Sequence, residues 1–319
     1  MTALNFTVVI VSYRTPDLTV AAARSALDAG ADRVIVVDNQ SGDSSVARLR
    51  TIVDPRLMVM EAPANVGFGS GANIGARSAS SDALLFLNSD AELTRQAAGH
   101  LMAELGERGP RAIIGPRILG PDGSVEHSAG LLPAPSDIAV RALGLHVLGW
   151  WVAGLPMVGA LVRRTRFLRE FASAEVAEEA FDTSFVTGAC FAIGREAFLE
   201  LGGFDERYFM YFEDADLCRR ASQRGMPIRY LPSATVSHVR GASTSGDYPF
   251  GPLRSRSMRQ YLHKWYGPAG SALAILLLWA RALRHAVVLH PGSGRAWRAF
   301  WAAVKDEDPR ARSRSGRPG

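Results

Sequence analysis

FTVVIVSYRTPDLTVAAARSALDAGADRVIVVDNQSGD, residues 6–43, carries the pattern that decides the fold. Phe6 to Val11 is a β-branched run that stops at Ser12, Tyr13 and a Thr-Pro turn. A short, uninterrupted apolar run of this kind reads as a strand buried on both faces, the habit of parallel sheets. Leu18 to Ala29 then places apolar residues at helical spacing, and Arg33 to Val37 is a second strand that ends in Asp38-Asn39. Strand, helix and strand in succession predict an α/β domain with a mostly parallel sheet.

The pattern continues outward. Leu57 to Glu61 is a third strand, Gly71 to Ser78 a helix of small residues, and Ala83 to Leu87 a fourth strand that ends in Asn88-Ser89-Asp90. A helix from beyond Leu93 to about Arg108 precedes a strand at Ile113 to Ile118 and a Gly-Pro-Asp-Gly turn at 120–123. Residues 132–180 carry little strand signal and form an apolar excursion. Phe185 to Ile193 restores order, followed by helices at Arg195 to Leu201 and Glu213 to Arg224 and a last strand at Ile228 to Leu231. No internal repeat is present. Ligands of open α/β sheets bind beyond the carboxyl ends of the strands, which singles out Ser12, Tyr13, Asp38, Asn39 and Asp90.

The composition, 47% hydrophobic, 21% charged and 8% aromatic over 319 residues, excludes disordered, collagenous and coiled-coil classes. Two cysteines, Cys190 and Cys218, make neither a disulfide framework nor a zinc spacing, which suits a reducing, cytoplasmic setting. Net charge is unevenly divided: residues 251–319 carry +10 and the remainder −5. A basic end of this kind meets nucleic acid or a lipid headgroup surface. No aromatic-interleaved basic surface supports nucleic acid. The first residues lack the basic region and apolar core of an export signal. Residues 142–162 approach spanning length but contain His146, Pro156 and four glycines, and the run 269–280 stops at Arg281. Trp150, Trp151 and Trp279, with Arg141, Arg163, Arg164, Arg281 and Arg284 beside them, match segments lying in a headgroup interface, with ordinary buried helices as the alternative. The expectation is a peripheral protein on the cytoplasmic face of the cell membrane.

Five motifs carry chemistry. VVDNQSGD, residues 36–43, puts Asp38 where a carboxylate accepts hydrogen bonds from a base or ribose. In NVGFGSGANIG, residues 65–75, Gly67, Gly69 and Gly71 let backbone N–H groups approach a phosphate or sugar. The same glycines fit a permissive dinucleotide fingerprint, but two strands have already passed and Pro63 precedes it, which is the wrong context. LLFLNSDAEL, residues 84–93, delivers Asp90 to a strand end, where a carboxylate can hold a hard divalent cation beside substrate phosphates, and Asn88 offers an uncharged partner. FDERYFMYFEDADLCRR, residues 204–220, sets Asp205, Glu206, Glu213, Asp214 and Asp216 among aromatic rings. Acids at a helix start complement its dipole, and one held beside apolar rings can act as a general base. SHVRGAST, residues 237–244, ends an extended segment with His238, a candidate metal ligand.

Taken in order, VVIVSY, VVDNQSGD, NVGFGSGANIG, LLFLNSD, GACFAIGREAFLELGGFDERYFMYFEDADLCRR and HVRGAST resemble the inverting glycosyltransferases of family 2, which have a GT-A fold. Within that family they are most similar to bacterial rhamnosyltransferases that act on polyprenyl-diphosphate-linked sugars. The similarity spans residues 5–245 and implies a GT-A domain whose nucleotide-sugar-binding half is 1–120 and whose acceptor-binding half is 121–250. Residues 251–319 would form a basic, helical, membrane-facing extension. By this resemblance Asp38 contacts the nucleobase, with Ser12 and Tyr13 lining the pocket and Asn65, Gly67 and Asn73 completing the donor side. The Asp-x-Asp signature falls on Asn88-Ser89-Asp90, with Asn in first place. Asp90 and His238 become ligands of Mg²⁺ or Mn²⁺, Asp214 the catalytic base, and Gly188, Ala189, Asp205 and Glu213 the acceptor side. Arg14 stands where the family often has Asn, which leaves that part of the donor pocket open. The implied donor is dTDP-L-rhamnose, with UDP-sugar-dependent galactofuranosyl, glucosyl or GlcNAc transfer as the alternative. The implied acceptor is a lipid-linked saccharide of cell-wall or surface-polysaccharide synthesis. A non-catalytic membrane-binding scaffold is the rival from another class, and the joint presence of Asp90, Asp214 and His238 argues against it.

Overall fold

All seven residues of the first strand, β1 (Phe6–Ser12), are buried, because layers of helices cover both faces of the sheet it belongs to. The computed structural model describes residues 4–136, 138–139, 177–239, 251–287 and 293–306. After β1 come α1 (Pro16–Asp28), β2 (Arg33–Asp38), α2 (Ser45–Leu49), β3 (Leu57–Glu61), α3 (Phe68–Ser78), β4 (Ala83–Asn88), β5 (Ala91–Glu92) and α4 (Arg95–Arg108). The chain continues through β6 (Ile113–Leu119), β7 (Ala129–Gly130), β8 (Phe181–Asp182), β9 (Phe185–Val186), β10 (Cys190–Gly194), α5 (Arg195–Glu200), α6 (Glu213–Gln223) and β11 (Ile228–His238). Two helices follow, α7 (Pro252–Val287) and α8 (Ser293–Lys305).

Among the described residues one nine-stranded sheet runs in the order β3-β2-β1-β4-β10-β6-β11-β5, with β8 paired to β11. Strands β1 to β4 are mutually parallel where they pair, as the alternation of strands and helices predicts. β10 enters antiparallel between β4 and β6, and β6 runs parallel to β11. The carboxyl ends of β1, β2, β4, β6 and β11 and the amino end of β10 therefore share one edge of the sheet. Side chains alternate across it. Val8, Ile10, Val34 and Val36 pack on Ala22, Ala26 and Leu101 of α1 and α4. Val9, Val11, Ile35 and Val37 face Ala72 of α3, Phe198 of α5 and Leu217 of α6. This mixed α/β architecture with a mostly parallel sheet is the expected class.

Several elements depart from the sequence reading. The run 185–193 divides into β9, which pairs with β7 in a small second sheet, and β10 in the main one, and the turn at 187–189 between them faces the site. β11 is longer than Ile228 to Leu231: its register shifts between Leu231 and Thr235, around Pro232, and pairing resumes as far as His238. Helix α3 begins at Phe68, so Gly67 caps it and Gly69 and Gly71, read as facing a ligand, lie inside its first turns. The apolar segment 142–162, with Trp150 and Trp151, lies outside the described residues, as does 240–244 of the SHVRGAST motif.

Arg281 interrupts the apolar run but not the helix. α7 extends through Val287, and its residues 252–284 are long and apolar enough to cross a membrane by length and composition. A kink at Gly267, followed by Pro268, divides it. One face of α7 packs with Tyr208, Phe212 and Ala215 through Met258, Tyr261, Leu277 and Leu278, a third apolar cluster apart from the sheet.

Candidate active site

Each strand end at the shared edge presents polar residues that the sheet register aligns. Ser12 pairs with Asp38 across β1 and β2, and Val11 with Asn88 across β1 and β4. Asp38 is buried, and its two carboxylate oxygens accept from the Ser41 amide at 2.9 Å and the Ser41 hydroxyl at 2.5 Å, an Asx-type turn. The Asn39 amide donates to Asn65 at 2.9 Å, while its carbonyl accepts from the Val66 N–H at 2.9 Å. Ser12 turns its hydroxyl toward Thr19, and Tyr13 lies under the guanidinium of Arg14. Arg14 and Gln40, in the loops after β1 and β2, both have positive φ, and the Arg14 amide donates to the Ser41 hydroxyl, joining the two loops. Bulky residues in that region mark loops shaped for function. Arg14, which stands where the family often has Asn, thus ties the loop after β1 to the loop after β2.

The glycine motif works differently from its sequence reading. Gly69 and Gly71 face inward, where a Cβ would stand 3.0 Å from Phe204 and 2.9 Å from Val11, so they let α3 approach the core. Gly67 has φ +87°, and a Cβ on it would lie 2.2 Å from the Phe209 carbonyl oxygen, which also accepts from the Phe68 N–H at 2.9 Å. Asn73 is buried and holds the same loop, donating to the Phe204 carbonyl and accepting from the Phe204 amide. The motif therefore ties α3 and the loop before it to the segment that precedes α6.

Beyond β4, Ser89 accepts from Thr15 at 3.2 Å, and Asp90 and His238 converge from β4 and β11. His238 Nε2 stands 3.1 Å from Asp90 Oδ1 and 3.3 Å from the Asn88 amide, and its Nδ1 is 3.2 Å from Glu126 Oε2. Burial opposes a charge on this imidazole, but hydrogen bonds to Asp90 and Glu126 outweigh it and raise His238 to about 9. Sequence reasoning missed Glu126, which sits in an irregular stretch with no motif to announce it. Among the described residues no three His, Cys, Asp or Glu side chains gather to hold a metal ion unaided. A carboxylate and an imidazole, one carboxylate-oriented, fit a cation that takes its remaining oxygens from a diphosphate and water.

The turn 187–189 brings the other half of the site alongside. Ala189 accepts from the Asn88 N–H at 2.9 Å, and the Gly188 N–H donates to Asp214 Oδ2 at 3.0 Å. Asp214, partly buried at the start of α6, accepts from the Ala215 N–H at 2.8 Å as well. Burial raises its carboxyl above the ordinary value, and these two amide donors pull against that rise. The adjoining Glu213 is buried, its Oε2 has no hydrogen-bond partner, and burial and the Asp214 charge push it up to about 8. Two neighbouring acids thus differ: Glu213 stays protonated near neutrality, and Asp214 is the one furnished to carry charge. Asp205, expected on the acceptor side, has its carboxylate engaged by Arg207 and by Lys264 at 2.7 Å. Burial works against that charge, yet the two cations hold Asp205 well below the usual carboxylate range.

The chain resembles known proteins in both sequence and structure. A model of glycosyl transferase family 2 matches residues 7–202, and one of glycosyl transferase family group 2 matches residues 158–304. The chain is 30% identical over 230 residues to an N-acetylglucosaminyl-diphospho-decaprenol L-rhamnosyltransferase of Mycobacterium tuberculosis, covering 67% of this chain and 68% of that one. In structure it resembles the mannosyltransferase PcManGT of Pyrobaculum calidifontis, determined with GDP-Man and Mn²⁺, at a TM-score of 0.56 and 16% identity over 97% of this chain and 89% of the other. It also resembles GalNAc-T7, determined with UDP, GalNAc and Mn²⁺, at a TM-score of 0.57 and 17% identity, over 84% of this chain but only 52% of that longer one. These likenesses establish the GT-A fold.

Proposed function

We propose, from the premise that this chain belongs to glycosyl transferase family 2 and is a glycosyltransferase, that it transfers L-rhamnose with inversion from dTDP-L-rhamnose to a lipid-linked saccharide. The Mycobacterium tuberculosis relative is named for rhamnosyl transfer to a diphospho-decaprenol-linked sugar, which supports the transferred sugar and the class of acceptor. Cell-wall or surface-polysaccharide synthesis is the corresponding setting. We assign donor binding to residues 1–120, acceptor binding to 121–250 and membrane contact to 251–319.

The observation that carries the reading is the turn 187–189, which links the Asn88 strand end to Asp214 through two hydrogen bonds. Asp38, Ser12, Tyr13 and Asn65 shape the nucleoside pocket. Asp90 and His238 hold Mg²⁺ or Mn²⁺, which when bound neutralises the donor diphosphate and its developing charge. Asp214 accepts the proton of an acceptor hydroxyl, whose oxygen bonds to the anomeric carbon as the bond to the nucleoside diphosphate breaks on the opposite face. One displacement inverts the centre and needs no covalent enzyme intermediate. Glu213, protonated, spares Asp214 a second adjacent charge.

Melting curves with dTDP-L-rhamnose, UDP-galactofuranose, UDP-glucose and UDP-GlcNAc, each with and without Mn²⁺, test the donor, since a ligand of the native state raises the midpoint. The largest Mn²⁺-dependent rise should come from dTDP-L-rhamnose. A larger rise with a UDP-sugar transfers the proposal to that donor, and turnover of any of them excludes the scaffold reading.

A membrane-facing role for the C-terminal helices has its own support. Leu276, Trp279, Leu283 and Val287 are exposed at successive helical intervals on α7, and Trp301 and Val304 are exposed on α8. Arg281, lowered by burial and then by the charges of Arg284 and Arg295, belongs to a cationic group in the same region. Apolar rings beside guanidinium groups suit an anionic bilayer surface, and we place the protein peripherally on the cytoplasmic leaflet. Sedimentation with phosphatidylglycerol vesicles should capture the protein and release it in high salt, whereas equal binding to neutral vesicles overturns the electrostatic part.

A further inference from the structure

Asp216, two residues beyond Asp214 on α6, is completely buried and needed by no step above. Its Oδ1 accepts from Lys264 Nζ at 2.6 Å and from the Trp265 indole N–H at 2.9 Å, and its Oδ2 accepts from Arg220 Nε at 2.8 Å. Lys264 also reaches Asp205 Oδ2 at 2.7 Å, on the far side of the turn that leads into α6. Arg220 belongs to α6 itself, whereas Lys264 and Trp265 come from α7. A buried carboxylate is held this firmly only where its partners converge on it, and two of the three come from a helix about fifty residues away along the chain.

The turn itself needs such help. Tyr211 and Phe212, the last two residues before Glu213, have φ of 70° and 67°. Two consecutive aromatic residues in the left-handed region are strained and persist only where their surroundings dictate the conformation. Those surroundings are again α7. The Arg254 guanidinium lies 5.3 Å from the centroids of both the Tyr211 and Phe212 rings, the Ser257 hydroxyl donates to the Met210 carbonyl at 2.7 Å, and the Tyr261 ring lies 5.3 Å from that of Phe212. Arg219 of α6 stacks on Trp265 at 4.7 Å and Tyr266 at 4.8 Å.

We infer that Lys264 and Trp265 are positioning residues for the catalytic base: through Asp216 they lock α6 and its strained entry turn, so that Asp214 meets the acceptor hydroxyl at a fixed place. The inference rests on Asp214 acting as the base. It makes the first half of α7 part of the acceptor site's frame, while the half beyond Gly267 carries the exposed apolar stripe. The helix proposed to touch the bilayer is then the one that sets the base.

The test uses the full chain with five variants: Trp265→Phe, which keeps the ring and removes the N–H, Lys264→Met, Lys264→Arg, the double variant Lys264→Met with Asp216→Asn, which removes both members of the buried pair together and leaves Arg220 its Leu201 and Gly203 carbonyl partners, and Asp214→Asn. Amide hydrogen exchange of 208–216 is measured with dTDP and Mn²⁺ bound. Turnover is measured with the donor that the melting screen identifies. Trp265→Phe and the double variant should exchange faster across 208–216 and lose up to about 100-fold in kcat, the scale of a small misplacement, with the affinity for Mn²⁺-dTDP within about 2-fold. Lys264→Arg, which keeps a cation, should recover most of the rate. Unchanged kcat well below the melting temperature, or a parallel loss of nucleotide affinity, overturns the positioning role. Near wild-type turnover of Asp214→Asn instead removes the base assignment, and the exchange data still report whether α7 holds the turn.

Discussion

The loops after β1, β2 and β4 and the turn that leads into α6, proposed as the donor and catalytic sides, lie at the same edge of one sheet but are held in different ways. On the donor side, short polar side chains at strand ends bond to their neighbours: Asp38 to Ser41, Asn39 to Asn65, Thr15 to Ser89. The sheet register alone brings these groups together. On the catalytic side the turn 208–212 and the start of α6 take their shape from α7, through Lys264, Trp265, Arg254 and Ser257. A pocket carved from strand ends is as rigid as the core beneath it. If Asp214 is the base, its setting depends on an added helix, and α7 can be altered without touching the strand-end side chains.

The largest expected effect separates the two regions directly. Asp214→Asn should lower transfer by about 10²- to 10⁴-fold, the usual worth of a general base, while Mn²⁺-dependent binding of dTDP in titration calorimetry stays as in the wild type. If nucleotide affinity fell as steeply as turnover, the two regions would not be separable.

The converse experiment is next in size. Asp90→Ala and His238→Ala should each weaken dTDP binding in Mn²⁺ by more than about 10-fold, the lower range for disturbing even an outer partner of a metal ligand, and leave binding without metal unchanged. The metal-free protein offers a second readout. His238 is raised from 6.5 to about 9 in the fold, so its contribution to stability is complete below its unfolded value and is lost as pH rises through about 9. Calorimetry in chelator should show a melting temperature that declines over that window, and His238→Gln should flatten the decline.

The same division explains how far the sequence could be read. Strands β1, β2 and β4 are apolar runs with a polar residue at or just past the end, so the placement of Ser12, Asp38 and Asp90 at one edge of the sheet is legible from pattern alone. The partners of Ser12 and Asp38, Thr19 and Ser41, lie close by in the chain, whereas His238, the partner of Asp90, does not. His238 was found at the end of an extended segment, although the register shift around Pro232 concealed how long that strand is. Glu126 and Lys264 carry no local pattern, because their roles come from packing against His238 and Asp216, 112 and 48 positions away. The glycines at 69 and 71 misled for a related reason. A glycine that admits a phosphate and one that admits Phe204 or Val11 look alike until the core is assembled.

One residue should break the comparison. Gly67 joins both regions, since its positive φ and its approach to the Phe209 carbonyl press the donor motif against the catalytic turn. Gly67→Ala meets a conformational penalty of roughly 1–3 kcal/mol and a collision with backbone that cannot be relieved by a rotamer change. Denaturant unfolding should show at least that loss of stability, and nucleotide binding and turnover should fall together. Wild-type stability would mean that the contact between the two regions is dispensable.

Glu213→Gln should have the smallest effect on turnover and says the most about the acid pair. Glu213 is pushed from 4.5 up to about 8 by burial and by the Asp214 charge, so the folded protein keeps it neutral through the physiological range. A raised acid contributes stability that is complete below its unfolded value and is lost as pH rises through the folded one, here from about 4.5 to about 8. Glutamine reproduces the neutral shape and cannot ionise. The variant should therefore retain most of the wild-type kcat at pH 7, and its melting temperature should decline less between pH 5 and 8 than that of the wild type. A loss of turnover as deep as that of Asp214→Asn would move the base from Asp214 to Glu213. Asp214, with the Gly188 and Ala215 amides on its two oxygens, would then be the residue that holds the turn 187–189 against α6.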